Sequence, residues 1–372
     1  MLIGISGTLS SGKTEVARYL TFQGFKLLSF KQSGVDDSQC DDSIVELSTP
    51  DSSPKDSVDD LVEGKVIKSL EGFQPYDESD VSGKFDYFST IEVFQHFDDL
   101  NRLLDYVTLN WRENFVISHI DNMEMLIALK KRPFFLHISI DAPLLLRYKR
   151  YMLRNSFQNG NRLNLEQFIV RNDELLFKTG NPLIEINNQA QVKIINTSTS
   201  IKNLYIKLSE LNLVDFSRLR PTWDSYFMRL ADLAALRSNC MKRRVGCVIV
   251  RQNTVIATGY NGTPRHLTNC NEGGCERCNQ GQGSGSSLST CLCLHAEENA
   301  LLEAGRDRIR DNSVLYCNTC PCLTCSIKIV QSGIREVVYA QSYSMDSASH
   351  KVMSEANIIL RQFQPPTDGI FI

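Results

Sequence analysis

His295-Ala296-Glu297 and Pro321-Cys322-Leu323-Thr324-Cys325 are the two segments on which the reading of this chain turns; Pro321 follows Glu297 by 24 positions. Two thiolates and an imidazole suit zinc, and three protein ligands leave a fourth coordination position open. Cys322 and Cys325, spaced i,i+3 at an expected helix start, can face a single point. Pro321 suits the first turn of that helix, where a missing N–H costs nothing, and the helix dipole there favours thiolates. Zn²⁺ with two thiolates and a neutral imidazole sums to zero charge, which keeps Lewis acidity for the fourth ligand. Glu297, two residues past His295, can take a proton from water, hand one to a ring nitrogen and later protonate a departing amine. A structural Cys/His zinc site would instead supply four protein ligands and leave Glu297 without a task.

Working outward, the pattern from Trp223 onward predicts a helix over 224–238, with Phe227, Leu230, Leu233, Ala234 and Leu236 among its apolar positions. A hairpin is expected from strands 245–250 and 254–259 across Gln252-Asn253. A long Gly/Ser/Cys loop runs from Asn261 to Thr290. Helix 295–305, strand 313–317, helix 322–332, strand 336–340, helix 346–355 and strand 357–363 follow. That order predicts a three-layer α/β/α domain of about five strands.

The N-terminal part reads differently. Leu2-Ile3-Gly4-Ile5 leads into Gly7-Thr8-Leu9-Ser10-Ser11-Gly12-Lys13-Thr14, a G-x-x-x-x-G-K-T run between an expected strand and an expected helix. Such a loop cradles phosphates with its backbone N–H groups, so Gly7, Gly12, Lys13 and Thr14 are candidate nucleotide-binding residues, Lys13 on the outer phosphates and Thr14 on Mg²⁺. Residues 33–63 carry ten acids, one base and seven serines, too little apolar surface to offset chain entropy, so 33–85 is expected to be a largely disordered insertion. Strands at 115–118 and 134–140, a basic helix through Arg147, Lys149 and Arg150, and a last helix at 201–211 complete an alternating pattern that predicts a parallel sheet. The expected domains are thus 1–215 and 216–372, consistent with 372 residues at roughly 100–200 per domain.

Composition narrows the partners. Lys+Arg 40 against Asp+Glu 43 gives a formal net charge of −3. A polynucleotide-coating protein needs a basic excess to displace counterions, so no nucleic-acid partner is expected. No apolar run reaches the ~18 residues of a membrane span, and Met1-Leu2-Ile3-Gly4-Ile5 does not read as a secretory leader. The expected location is the cytoplasm, with the nucleus as a second. Of the 12 cysteines, all but Cys40 lie between Cys240 and Cys325, a distribution that reads as metal ligation rather than a disulfide scaffold. Cys247, within a strand-like run, and Cys317 also fit buried apolar positions.

The spacing H-x-E…P-C-x-x-C is the general signature of zinc nucleobase deaminases. The segments Arg220-Pro221-Thr222-Trp223-Asp224-Ser225-Tyr226-Phe227-Met228, Leu236-Arg237-Ser238-Asn239-Cys240, Val245-Gly246-Cys247 and Gly259-Tyr260-Asn261-Gly262-Thr263-Pro264 accompany it. With them, the C-terminal 40% of the chain resembles the deoxycytidylate (dCMP) deaminases of the fungal kind. The resemblance implies conversion of dCMP to dUMP and ammonia, which supplies dUMP for dTMP synthesis. By it, His295, Cys322 and Cys325 hold zinc and Glu297 is the proton shuttle. Asn261 would hydrogen-bond the deoxyribose, and Tyr343 would contact substrate. The resemblance further implies dCTP as activator, dTTP as inhibitor and a homo-oligomer, commonly a hexamer.

Some relatives hold an additional zinc at positions matching Cys240 and Cys270. For this chain the choice for a second, structural metal is Cys240, Cys270, Cys278 and Cys293, with Cys275, Cys291 and His266 as neighbours in the same loop. Lys242-Arg243-Arg244 and Arg265 are the nearest cations for a monophosphate, although the triplet equally fits a solvated basic turn. Downstream of the Gly7–Thr14 loop, Ile140-Asp141-Ala142-Pro143 with Arg147 and Arg150 resembles the adenylate-kinase and dephospho-CoA-kinase group. Two alternatives stand beside the leading reading: a P-loop nucleotide kinase with a regulatory zinc region, and a deaminase of another cytosine or adenine substrate.

Overall fold

The computed structural model describes residues 1–31, 91–155, 163–180, 182–281, 290–342, 346–364 and 369–371. The expected insertion at 33–85 lies outside them. The chain forms two compact units, Met1–Leu219 with Asp368–Ile372, and Arg220–Thr367.

The first unit alternates strand and helix: β1 (Leu2–Gly7), α1 (Lys13–Phe22), β2 (Lys26–Phe30), β3 (Gln95–Phe97), α2 (Leu100–Leu109), β4 (Phe115–Ile117), α3 (Met123–Lys130), β5 (Phe135–Asp141), α4 (Leu144–Asn155), α5 (Leu165–Phe177), α6 (Leu183–Asn188), β6 (Val192–Ile195) and α7 (Ile201–Leu211). Asp99, Asn122, Asn164 and Ser200 each accept a backbone N–H at a helix start, which satisfies donors the helix cannot. β1 is buried on both faces: Ile3 and Ile5 pack with Val16, Leu20, Leu136 and Leu204, while Leu2 packs with Phe115, Ile117 and Phe135. Two-sided burial is what a central parallel strand requires.

The second unit comprises α8 (Trp223–Ala235), β7 (Gly246–Arg251), β8 (Thr254–Tyr260), α9 (Glu276–Asn279), α10 (Ala296–Ile309), β9 (Val314–Thr319), α11 (Leu323–Ser332), β10 (Glu336–Gln341), α12 (Asp346–Glu355) and β11 (Ile359–Gln362). Its five-stranded sheet has the order β11-β10-β9-β7-β8. β9, β10 and β11 run parallel, and β7 is antiparallel to both its neighbours. Gln252 and Asn253 turn the β7–β8 hairpin with φ 51 and 58, left-handed values that a two-residue hairpin turn demands. Phe227, Met228 and Ala231 of α8 cover one face of the sheet against Val248, Tyr316 and Val338. The other face packs Ile249, Leu315 and Val337 against Ala296, Ala300, Ile329 and Met353. Cys247 and Cys317 stand opposite each other across β7 and β9, both fully buried in that second core.

Three details depart from the sequence expectations. The last residues form β12 (Gly369–Phe371), which pairs in parallel with β6 and completes a seven-stranded sheet β12-β6-β5-β1-β4-β2-β3 among the described residues. The expected second domain, 216–372, therefore does not keep the end of the chain; a short strand there covers an edge whose N–H and C=O groups would otherwise be open. In α8, Leu233 and Leu236 are 60% and 62% exposed, while Met228, Ala231 and Ala235 are buried, because the 227–228–231–235 ridge is the stripe that meets the sheet. Helix 295–305 does reach Gly305, whose φ of 64 breaks the regular geometry, and a further turn carries it to Ile309.

Candidate active site

The site is built at the facing starts of α10 and α11. His295 is the N-cap of α10, and Cys322 is the N-cap of α11 with Cys325 on its first turn. His295 Nδ1 lies 3.4 Å from Cys322 Sγ and 3.3 Å from Cys325 Sγ. The three ligand atoms all fall within 4.8 Å of one another. A tetrahedral zinc with ordinary Zn–N and Zn–S lengths sets N···S edges of about 3.5 Å, so the donor set fits that ion. The hydrogen bond to Cys325, with that to His295, pulls the Cys322 thiol down to about 3, and the bond to Cys322 raises His295 to about 9 despite burial.

The capping of α10 fixes His295. Glu298 Oε2 accepts the His295 backbone N–H at 2.8 Å in a reciprocal capping box, and its other oxygen pairs with Lys328 on α11. Glu298 was not singled out in the sequence, although a carboxylate three residues past an N-cap is the signal for such a box. Close packing fixes the depth of the helix. A Cβ on Gly259 of β8 would meet the Ala296 carbonyl oxygen at 2.2 Å and the Ala300 nitrogen at 2.5 Å, so only glycine lets the first turn of α10 lie this close to the sheet.

Glu297, 4% exposed, sits on that turn. Burial pushes its carboxyl up to about 7, against the pull of His295. A carboxyl balanced near neutrality can accept and return a proton in one turnover.

Asn261 follows β8 and is 7% exposed. Its Oδ1 accepts from Ser238 Oγ at 2.7 Å and from Val245 N at 2.8 Å, and its Nδ2 donates to Arg243 O at 2.8 Å. This amide thus anchors the 238–245 segment, a task beyond the ligand role expected for it. Ser238, its partner, was missed because a serine after a helix end carries no distinctive pattern. Tyr343 lies outside the described residues. Arg243 donates to Gln341 Oε1 and exposed Arg265 pairs with Glu303.

The four loop cysteines chosen for a second metal do come together. The Sγ atoms of Cys240, Cys270, Cys278 and Cys293 lie within 4.8 Å of one another. Cys275 and Cys291, left out of that choice, form a second such group with Cys278 and Cys293. Exposed His266 belongs to neither group.

In the first unit, Gly7 and Lys13 bound the turn from β1 to α1. Gly12 is the N-cap of α1 with φ 108, and a Cβ there would come within 2.7 Å of Asn196 Nδ2. Buried Lys13 donates to the carbonyls of Gly7 at 3.2 Å and Thr8 at 2.9 Å. Arg147 reaches Leu9 O and Arg150 reaches Ser11 O. Thr14 opens α1 half-buried.

The family model described as "Cytidine and deoxycytidylate deaminase zinc-binding region" matches residues 221–341. A deoxycytidylate deaminase of Schizosaccharomyces pombe is 49% identical over 88% of this chain and 99% of its own length. One from Saccharomyces cerevisiae is 52% identical over 73% of this chain and 88% of its own length. The deoxycytidylate deaminase of Mycobacterium phage D29 is 41% identical over 95% of its own length, which spans 32% of this chain. By the first two matches, which run through nearly all of both relatives and reach beyond the zinc-binding segment, this chain belongs to the deoxycytidylate deaminase family.

Proposed function

We propose that the second unit converts dCMP to dUMP with release of ammonia, and that His295, Cys322 and Cys325 hold the zinc this chemistry needs. When bound there, zinc supplies the Lewis acidity that makes water a nucleophile near neutral pH. Glu297 takes a proton from the attacking water and delivers it to the pyrimidine ring nitrogen, then takes the remaining proton of the added hydroxyl as the carbonyl forms and passes it to the amine, which leaves as ammonia. Burial serves this role, since a carboxyl held near neutrality is neither a spent base nor a fixed acid. The observation that carries the reading is the placement of buried Glu297 two residues from an imidazole that stands 3.3–3.4 Å from both thiols. Ammonia release by the full chain, compared over dCMP, cytidine, cytosine and a single-stranded oligonucleotide, tests the substrate. dCMP is expected to be turned over fastest, and preference for any of the others would overturn the assignment.

For the first unit the reading is a nucleoside-triphosphate site on the Gly7–Thr14 turn, with Mg²⁺ at the Thr14 hydroxyl. One observation favours it: Ser11 Oγ is buried with no hydrogen-bond partner among the described residues, in a turn crossed by Lys13, Arg147 and Arg150. If Lys13→Ala abolished the main activity of the chain while Glu297→Gln spared it, a kinase with a regulatory zinc region would replace the deaminase reading. By family resemblance the proposal extends to a hexamer answering to dCTP and dTTP, which sedimentation with and without each nucleotide tests.

A further inference from the structure

The loop between β8 and α10 contains a core made of sulfur. Cys270, Cys275, Cys278 and Cys293 are buried there, Cys240 and Cys291 pack against them, and among the described residues no aliphatic or aromatic side chain belongs to the cluster. The described parts of this long segment have only a 3₁₀ turn at Cys270–Glu272 and the single turn of α9. A segment of that length whose described residues gather around sulfur alone needs another source of order, and a metal whose binding is coupled to folding supplies it.

The geometry goes beyond one ion. The two sulfur quartets, Cys240/Cys270/Cys278/Cys293 and Cys275/Cys278/Cys291/Cys293, share Cys278 and Cys293. Sulfur separations include 3.8 Å for Cys240–Cys278, 3.9 Å for Cys275–Cys291, 3.8 Å for Cys278–Cys291 and 3.9 Å for Cys278–Cys293. Four thiolates at about 2.3 Å from a tetrahedral zinc stand about 3.8 Å apart, whereas a disulfide would bring a pair to about 2.05 Å. The two quartets share one edge, Cys278–Cys293, and these four separations match the edges of thiolate tetrahedra.

We propose that these six cysteines hold a binuclear zinc cluster in which Cys278 and Cys293 each bridge both ions, Cys240 and Cys270 complete one tetrahedron, and Cys275 and Cys291 complete the other. Two zinc ions carry four positive charges against six thiolates, an excess of two negative charges. The surroundings answer it with donors. Met241 N points at Cys270 Sγ at 3.4 Å, and the guanidinium of Arg277, 5% exposed, hydrogen-bonds Cys291. Asn279 Nδ2 donates to the carbonyls of Cys270 and Cys275 at 2.9 and 2.7 Å, tying one terminal ligand of each tetrahedron together. Donors of this kind orient metal-bound ligands from outside the first sphere.

The cluster also braces the active site from two sides. Cys240 N donates to Ser238 Oγ at 3.2 Å, the hydroxyl that holds Asn261. Cys293 precedes Leu294, whose backbone pairs with Gly262 at 2.9 and 3.1 Å immediately before His295.

Metal content of the full chain, loaded with excess Zn²⁺ and freed of loosely held metal by gel filtration, is the first test. Three zinc ions per chain are expected, two in the cluster and one at His295/Cys322/Cys325. Two or fewer would overturn the proposal. Cys275→Ser and Cys291→Ser should each lower the count, since a lone ion on Cys240/Cys270/Cys278/Cys293 would be indifferent to them; an unchanged count counts against bridging. The wild-type chain loaded with ¹¹³Cd²⁺ carries the test where a variant fails to fold. Two all-thiolate ¹¹³Cd resonances split by mutual coupling through the shared sulfurs are expected, and a single all-thiolate line or two uncoupled lines would refute the bridge.

Discussion

Gly259 of β8 and Ala296 of α10 are in backbone apposition, close enough that a methyl group on the glycine would stand 2.2 Å from the alanine carbonyl oxygen. Ala296 lies between His295 and Glu297, so this one close approach sets where both functional side chains sit. Gly259→Ala should push the first turn of α10 away from the sheet. The expected cost is about 1–3 kcal/mol of stability, as for other overpacked contacts. A larger proportional loss is expected in dCMP turnover, because small misplacements of catalytic groups are costly. Chemical denaturation and steady-state kinetics on the same preparation check both.

Asn261 spends its amide on Ser238, Val245 and Arg243. Asn261→Asp keeps the shape and the acceptor but sets a carboxylate oxygen against the Arg243 carbonyl. That change should destabilise the second unit by about 1–3 kcal/mol, the penalty of an unmet buried polar group. Asn261→Asp with wild-type denaturation would show that the amide faces ligand rather than its own chain.

The first unit should lose stability in acid through one residue. His137 on β5 is fully buried, with Nε2 2.9 Å from Ser6 Oγ. Burial, helped by Lys130, lowers its pKa to about 4 from an ordinary 6.5. The unfolded chain therefore binds this proton first as pH falls. The contribution is complete above about 6.5, declines below it, and amounts to about 3 kcal/mol lost once pH passes 4. The chain has 2 tryptophans, so Trp223→Phe leaves Trp111 as a fluorescent reporter of this unit. Denaturant titrations at pH 7 and pH 4.5 should differ by less in His137→Phe than in the parent, whereas equal differences would assign the acid loss to other groups.

Much of the second unit was readable in advance because its signals are local. The hairpin across Gln252-Asn253, the alternation through β9, α11 and β10, and the pairing of one histidine with two cysteines each rest on short-range spacing. The buried stripe of α8 was not, since Leu233 and Leu236 look as apolar as Met228 and Ala231, and only the sheet decides which ridge it accepts. The return of Gly369–Phe371 to the N-terminal sheet depends on an open strand edge far away in sequence. The four loop cysteines chosen for a second metal do gather, but spacing alone did not show that Cys275 and Cys291 form a second group with two of them. Spacing marks Cys275-x-x-Cys278 and Cys291-x-Cys293 as pairs, but only the folded loop shows that one member of each pair serves two quartets.

The central claim is that the Glu297 carboxyl moves the protons of a deamination at the neighbouring zinc site. Glu297→Gln preserves volume and hydrogen-bonding shape while removing the titratable group. The decisive measurement is ammonia release from dCMP by this variant, taken on preparations whose zinc content and melting match the parent. The expected result is a fall in kcat of at least about 10²–10⁴-fold with metal retained. Turnover within a few-fold of the parent at equal zinc content would contradict the account.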